Sequence, residues 1–197
     1  LIPDTITRYA SLLVGIVDIG QVPFEKIPEF TSYYPDGGLL EYRQSGVGLE
    51  LVMNVSKPPF DNLKLRQAIF KALEPWEALE SVWGGSAFVS LGMPGVELDW
   101  LLDEREMRSY FSDLDVAQAI FSDALVQDNL PISLLVADYG GVYLEYGDLV
   151  AAELLALGLQ VEKEVVNPVQ YARRAWADGD FSIYLGPILA MTTPNAY

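Results

Sequence analysis

The sequence contains no histidine and no cysteine, and these two absences remove several kinds of function at once. Without cysteine there is no disulfide framework, no thiolate nucleophile and no zinc–thiolate site. Without histidine, Ser-His-Asp and Cys-His nucleophile activation and most zinc catalysis lose a required group. Basic side chains are scarce as well: 12 Lys and Arg stand against 28 Asp and Glu, a net charge of −16. Nucleic acid and anionic lipid are bound through basic side chains, so such a surface repels both and neither is expected as a partner. No run approaches the roughly eighteen uncharged apolar residues of a membrane span. What is there is globular in composition, 51% hydrophobic and 20% charged, and 197 residues can bury one substantial core.

The ends carry their own signal. LIPDTITRYA has neither the basic nor the apolar region of a signal peptide and no initiator Met, and TTPNAY stops without a helix end. Both ends read as cuts within a longer protein.

The richest stretch is NVSKPPFDNLKLRQAIFKALE, 54–74. The run before it, VGLELVMN, is short and apolar with β-branched residues, which predicts a strand. Pro58 and Pro59 impose an extended crossing, because neither offers an N–H and each restricts the residue before it. Asp61 is placed to cap the helix that follows. Leu65, Ala68, Ile69, Ala72 and Leu73 then recur at three- and four-residue spacing, giving one apolar face, and Pro75 can open the next helix.

This wording, with Asn54, Pro58-Pro59-Phe60-Asp61 and Leu65-Arg66-Gln67-Ala68 at this spacing, resembles the signature of the family 5 extracellular solute-binding proteins. These are the peptide-type receptors of ABC importers. The resemblance covers most of the chain. It implies an α/β fold, a mixed β-sheet flanked by helices, equivalent to the C-terminal lobe of a type II periplasmic-binding-protein fold. Residues 1–22 would be a hinge-proximal segment from the first lobe, and 23–197 the second lobe, incomplete at its C-terminus. It further implies a binding protein rather than an enzyme, without a cofactor or metal, located outside the cytoplasm in the periplasm or at the cell surface. The expected partners are a small solute or peptide and the permease subunits, with the membrane reached only through the permease or a missing anchor.

Along the chain, 4–14 has helical spacing and 16–22 (IVDIGQV) reads as a buried strand after Gly15. Residues 23–30 suggest a short helix and Tyr34-Pro35-Asp36-Gly37-Gly38 a turn. LLEYRQ, 39–44, reads as a strand able to pair with 49–55. Residues 75–83 form a helix closed by Gly84-Gly85, and 86–99 are punctuated by Gly and Pro. Asp113 or Asp115 caps a helix to about Val126, with Ala117, Ile120, Phe121 and Ala124 apolar. Then comes β-α-β: a strand at 132–137, a helix at 143–157 with Leu149, Ala152, Leu155 and Ala156 inward, and a strand at 159–166. That order argues for parallel pairing. A further helix over 168–177 and a strand at 181–185 follow.

Several short patterns carry little. Gly46-Val47-Gly48 opens like a dinucleotide fingerprint, but position 51 is Leu and no helix follows. Asn54-Val55-Ser56 is formally a glycosylation sequon. Asp99, Asp103, Glu104 and Glu106 cluster near Trp100 and would suit a solvated helix start, or a carboxylate-dependent hydrolase if two of them converged. The four tryptophans, Trp76, Trp83, Trp100 and Trp176, read mainly as packing residues, although aromatics also line grooves. A third possibility is an interaction module whose apolar face meets a partner.

For ligand contact the resemblance points to 184–197 (YLGPILAMTTPNAY), because in the family the last strand runs into the interlobe cleft. There a Gly-Trp pair precedes an Asp that anchors the peptide α-amino group. Here Gly186-Pro187-Ile188 replaces the pair, and Ala190 or Met191 stands where the Asp would be. Tyr184, Gly186, Ile188 and Met191 are therefore the expected ligand-binding residues, joined by Gln21 at the end of IVDIGQ. The missing carboxylate favours an uncharged or apolar solute, or a peptide held by backbone contacts.

Overall fold

A computed structural model of the chain describes residues 2, 4–39, 48–91, 102–124 and 131–188. The chain divides into two compact units, Leu1–Arg43 and Gln44–Tyr197.

In the first unit, α1 (Thr5–Leu13) begins at Asp4, whose side chain accepts the Thr7 N–H. After Gly15 the chain folds back on the helix end, where the Ile16 and Val17 N–H groups both reach the Ser11 carbonyl. The strand expected over 16–22 does not form. Its first two amides are drawn into closing the helix, Ile16 and Ile19 stand 73% and 92% exposed, and among the described residues the run has no partner strand. A 3-10 turn (Phe24–Lys26) leads into α2 (Ile27–Tyr33). The Tyr34–Gly38 turn forms as expected, with the Gly37 N–H bonded to the Tyr34 carbonyl at 2.9 Å.

The second unit is built on a four-stranded sheet of order β1-β4-β2-β3, comprising β1 (Gly48–Met53), β2 (Ile132–Ala137), β3 (Val161–Val166) and β4 (Ile183–Ile188). β2 is parallel to both β3 and β4, and β1 is antiparallel to β4. The predicted β-α-β unit is thus present, with α7 (Gly141–Leu157) as its crossover. β1 takes β4 as its partner; the pairing expected with 39–44 lies outside the described residues except at Leu39, which has no regular structure.

Among the described residues, further helices surround the strands: α3 (Leu63–Ala72), α4 (Pro75–Trp83), α5 (Glu104–Arg108), α6 (Leu114–Asp123), α7, and α8 (Pro168–Tyr171) running into a π-helical turn, Ala172–Ala177. The apolar face read for α3 is the one buried: Leu65, Ala68, Ile69, Ala72 and Leu73 are all inside. Its cap is Asn62 rather than Asp61. The Asn62 side chain accepts from the Lys64 and Leu65 amides, while Asp61 belongs to the preceding turn, whose carbonyls are held by Arg66 Nη1. Pro58-Pro59 is cis, so the crossing turns where an extended path was expected. Of the two candidate caps for α6, Asp113 serves, accepting the Val116 N–H.

For α7 the predicted inward face is wrong. Val150, Leu154 and Leu157 are buried, whereas Ala152, Leu155 and Ala156 are exposed. The helix is apolar almost all round, so its own periodicity names no face. Contact decides: a β-carbon on Gly147 would stand 3.0 Å from Val136 Cγ2, so this side alone lets the helix lie close on β2.

Two apolar layers result. Leu134, Val136, Ile183 and Leu185 pack under α3 and α7. On the opposite face Leu135, Ala137 and Tyr184 pack under Tyr171 and Ala175. Each strand alternates sides, as the pleat requires.

Candidate solute-binding edge

The parallel strands β4, β2 and β3 end together at Ile188, Ala137 and Val166. In open α/β sheets ligands are bound beyond this carboxyl edge. Antiparallel β1 brings its opposite end there, since Gly48 faces Ile188 and Glu50 faces Gly186. The loop after β2 carries Tyr139 and opens α7 at Gly140-Gly141, with no side chain capping the helix amides.

One side of the sheet near this edge is aromatic. Tyr171, fully buried, is the hub: its ring meets Tyr184 edge-on at 5.5 Å, Trp176 at 5.3 Å and Tyr139 at 6.4 Å between centroids. Phe181 lies 4.8 Å from Tyr184, and Tyr143 lies 5.5 Å from Tyr139. Among the described residues the Tyr171 hydroxyl is buried with no partner in hydrogen-bonding geometry, the Tyr184 and Trp176 polar groups lying near it. Within this setting the Tyr184 hydroxyl donates to Glu50 Oε1 at 2.7 Å. Burial raises the Glu50 carboxyl above the usual carboxylate range, and the Tyr184 hydrogen bond partly offsets that. Burial and the nearby Glu50 charge together push the Tyr171 phenol up.

Of the residues singled out in the sequence, Tyr184, Gly186 and Ile188 stand on one face of β4. Tyr184 is buried, and Gly186 lies beneath the Tyr171 ring, where a β-carbon would meet Cζ at 2.2 Å. Ile188 is half-buried at the edge itself. Gln21 is exposed in the irregular stretch of the first unit, and Met191 lies outside the described residues. Glu50 was missed. The available signal was a lone carboxylate inside an otherwise apolar strand, LELVM.

The acidic cluster reads as a helix start where it is described. Asp103 Oδ1 accepts the Glu106 N–H, and Glu104 pairs with Arg108 at 2.7 Å; Asp99 lies outside the described residues. Trp76 and Trp83 are packing residues, the first against Phe111 with Arg108 over its ring at 4.2 Å, the second against Tyr146. Among the described residues no group of three or more Asp or Glu is placed to hold a metal ion, and no helix is long and apolar enough to cross a membrane.

The mixed sheet flanked by helices matches part of the fold of the periplasmic binding proteins. It superposes on the oligopeptide-binding protein AppA of Bacillus subtilis, solved with a nonapeptide, with a TM-score of 0.76 at 18% identity, covering 98% of this chain and 41% of that one. On NikZ of Campylobacter jejuni, solved with Ni(L-His), the TM-score is 0.78 at 15% identity, covering 98% and 40%. Among curated proteins, heme-binding protein A of Haemophilus influenzae is 25% identical over 183 residues, 90% of this chain and 31% of that protein. The chain thus spans about a third of the curated relative's length and about two fifths of these solved structures. The sequence profile of the bacterial extracellular solute-binding proteins, family 5 Middle, matches residues 1–197, and the chain belongs to that family.

Proposed function

We propose that this chain forms one wall of the solute-binding cleft of an extracytoplasmic receptor that delivers its solute to an ABC permease. The carrying observation is the family match over residues 1–197. The carboxyl edge of the sheet, where Ile188, Gly48 and Glu50 meet, would be the solute-facing wall, and Met191 is retained among the proposed ligand-binding residues on the family resemblance. Binding would be coupled to closure, the solute favouring the closed state by its greater affinity for it. No covalent chemistry is involved, and the membrane is met through the permease or an anchor.

The cargoes named for the relatives, a nonapeptide, Ni(L-His) and heme, differ widely in size and kind. The solute therefore follows from this chain's own residues rather than from its relatives.

The test is to purify the whole protein under non-denaturing conditions, identify the co-purifying solute by mass spectrometry, and measure its uptake in cells with and without the gene. The expected result is a solute bound and released unchanged, whose uptake falls on deletion and returns with the restored gene. Conversion of the solute to a product of different mass, or uptake indifferent to the deletion, sinks the reading. With one wall only, this chain alone should bind the same solute at least about a hundredfold more weakly than the whole protein, a loss of roughly 2.7 kcal/mol.

A further inference from the structure

We infer that Glu50 is the recognition point for a cationic group of the solute, a protonated amine or a guanidinium. The inference takes its location from the receptor reading above and its chemistry from the surroundings of Glu50 itself.

Glu50 projects from β1 at the carboxyl edge, opposite Gly186. It is partly buried, and its one hydrogen bond among the described residues is the Tyr184 hydroxyl on Oε1. No Lys or Arg of the described residues is paired with it. Several cations of this unit are engaged elsewhere: Lys57 on the Gly179 carbonyl, Arg66 on the Phe60 carbonyl, Lys163 on Asp148, and Arg174 on Glu164 and Asp180. A carboxylate drawn from water without a counter-charge is costly. Here the cost is retained at the one edge of the sheet where a solute would arrive.

The neighbours favour one sign of charge. Tyr184 meets the carboxylate through its hydroxyl, and the buried Tyr171 ring beside it brings no positive charge, so the place of a counter-charge is left to the solute. The Tyr184 hydroxyl fixes the carboxylate in one orientation, so little side-chain freedom is left to lose on binding. A net charge of −16 draws cations toward the protein and repels anions. The uncharged solute implied by the missing Asp of the family pattern is thus replaced by a charged one, met from a different strand.

A purely structural reading makes Glu50–Tyr184 a strut between β1 and β4. Glu50→Gln separates the two, because a glutamine oxygen still accepts from the Tyr184 hydroxyl while the charge is gone.

The experiment titrates the whole protein calorimetrically with Ala-Lys-Ala, Ala-norleucine-Ala, Ala-Glu-Ala and the diamine cadaverine. Expected is a preference for the lysine over the norleucine peptide of about tenfold or more, with the glutamate peptide weakest. In E50Q, with an unchanged unfolding midpoint, the lysine preference should fall to about one. Equal affinity for the lysine and norleucine peptides, or a preference that survives in E50Q, overturns the inference. Should E50Q not fold, E50A is titrated in its place with the same two outcomes, and equal wild-type affinity for those two peptides still overturns the inference. If no tripeptide binds but cadaverine does, and loses affinity in E50Q, the cation site stands while the peptide reading of the receptor fails. Absence of Glu50-dependent binding by every cationic probe overturns it.

Discussion

The Tyr171 ring rests against the backbone of Gly186: a β-carbon there would stand 2.2 Å from both Cζ and the hydroxyl oxygen of Tyr171. Tyr171 cannot step aside, since it is fully buried among Tyr184, Trp176 and Tyr139. Gly186→Ala therefore overpacks the site and should destabilise the protein by about 1–3 kcal/mol. Denaturant unfolding measures this, and a change within about 0.5 kcal/mol, the range of an ordinary surface substitution, would contradict the packing described.

Tyr171→Phe is expected to behave in the opposite way. Among the described residues the hydroxyl is buried with no partner in hydrogen-bonding geometry, although the Tyr184 and Trp176 polar groups lie near it, and a buried polar group without a well-formed hydrogen bond carries its desolvation cost uncompensated. Its removal should leave stability unchanged or raise it by up to about 1 kcal/mol. A clear loss of stability on the same unfolding assay would mean the hydroxyl is satisfied after all.

Asn54 ties the end of β1 to the turn before β4. Its Nδ2 donates to the Gly179 and Phe181 carbonyls at 3.3 and 3.2 Å, and its Oδ1 accepts from the Ser56 amide and hydroxyl. Asn54→Ala should cost about 1–3 kcal/mol because it strands partly buried partners. Ser56→Ala, which removes one exposed hydroxyl contact, should cost less. A reversed order in thermal denaturation would refute the tie.

Stability should also fall as pH rises from about 4.5 to about 7. Burial first, then Glu74 and Glu77, raises the Glu153 carboxyl to about 7, against the opposing hydrogen bond from the Glu74 N–H. Tyr146, itself pushed up by burial and by Glu153, is the other titratable group against it. Because the folded state holds this proton more tightly than the unfolded chain, folding is favoured below 4.5 and loses that advantage through 7, above which the effect is constant. Glu153→Gln should flatten that segment of the curve and raise the melting temperature at pH 8 by a few degrees. An unaltered pH profile in the variant would assign the slope to other groups.

Much of the fold was open to inspection along the chain because its causes are local. The spacing of Leu65, Ala68, Ile69, Ala72 and Leu73 defines one helical face, and all five are buried. The 132–137 strand was bounded correctly, Gly158 closes α7 in the left-handed conformation as its position suggests, and 168–177 is helical throughout. The Asn54-to-Ala68 wording carried the family. The site was harder to read: Tyr184, Gly186 and Ile188 stand out in the sequence as expected ligand-binding residues and share one face of β4, but Gly186 answers to Tyr171, and Glu50 reads as part of an apolar strand.

Local spacing, turn residues and composition thus sufficed for the elements and the class, since each depends on neighbours a few positions away. Three things needed the folded chain. The 16–22 run stayed unpaired because the helix end claimed its first amides. The side of α7 that turned inward was chosen by how closely Gly147 could approach Val136. The Glu50–Tyr184 contact joins residues 134 positions apart, and no periodicity within either strand encodes a partner at that distance, because it arises only when β1 and β4 are laid side by side.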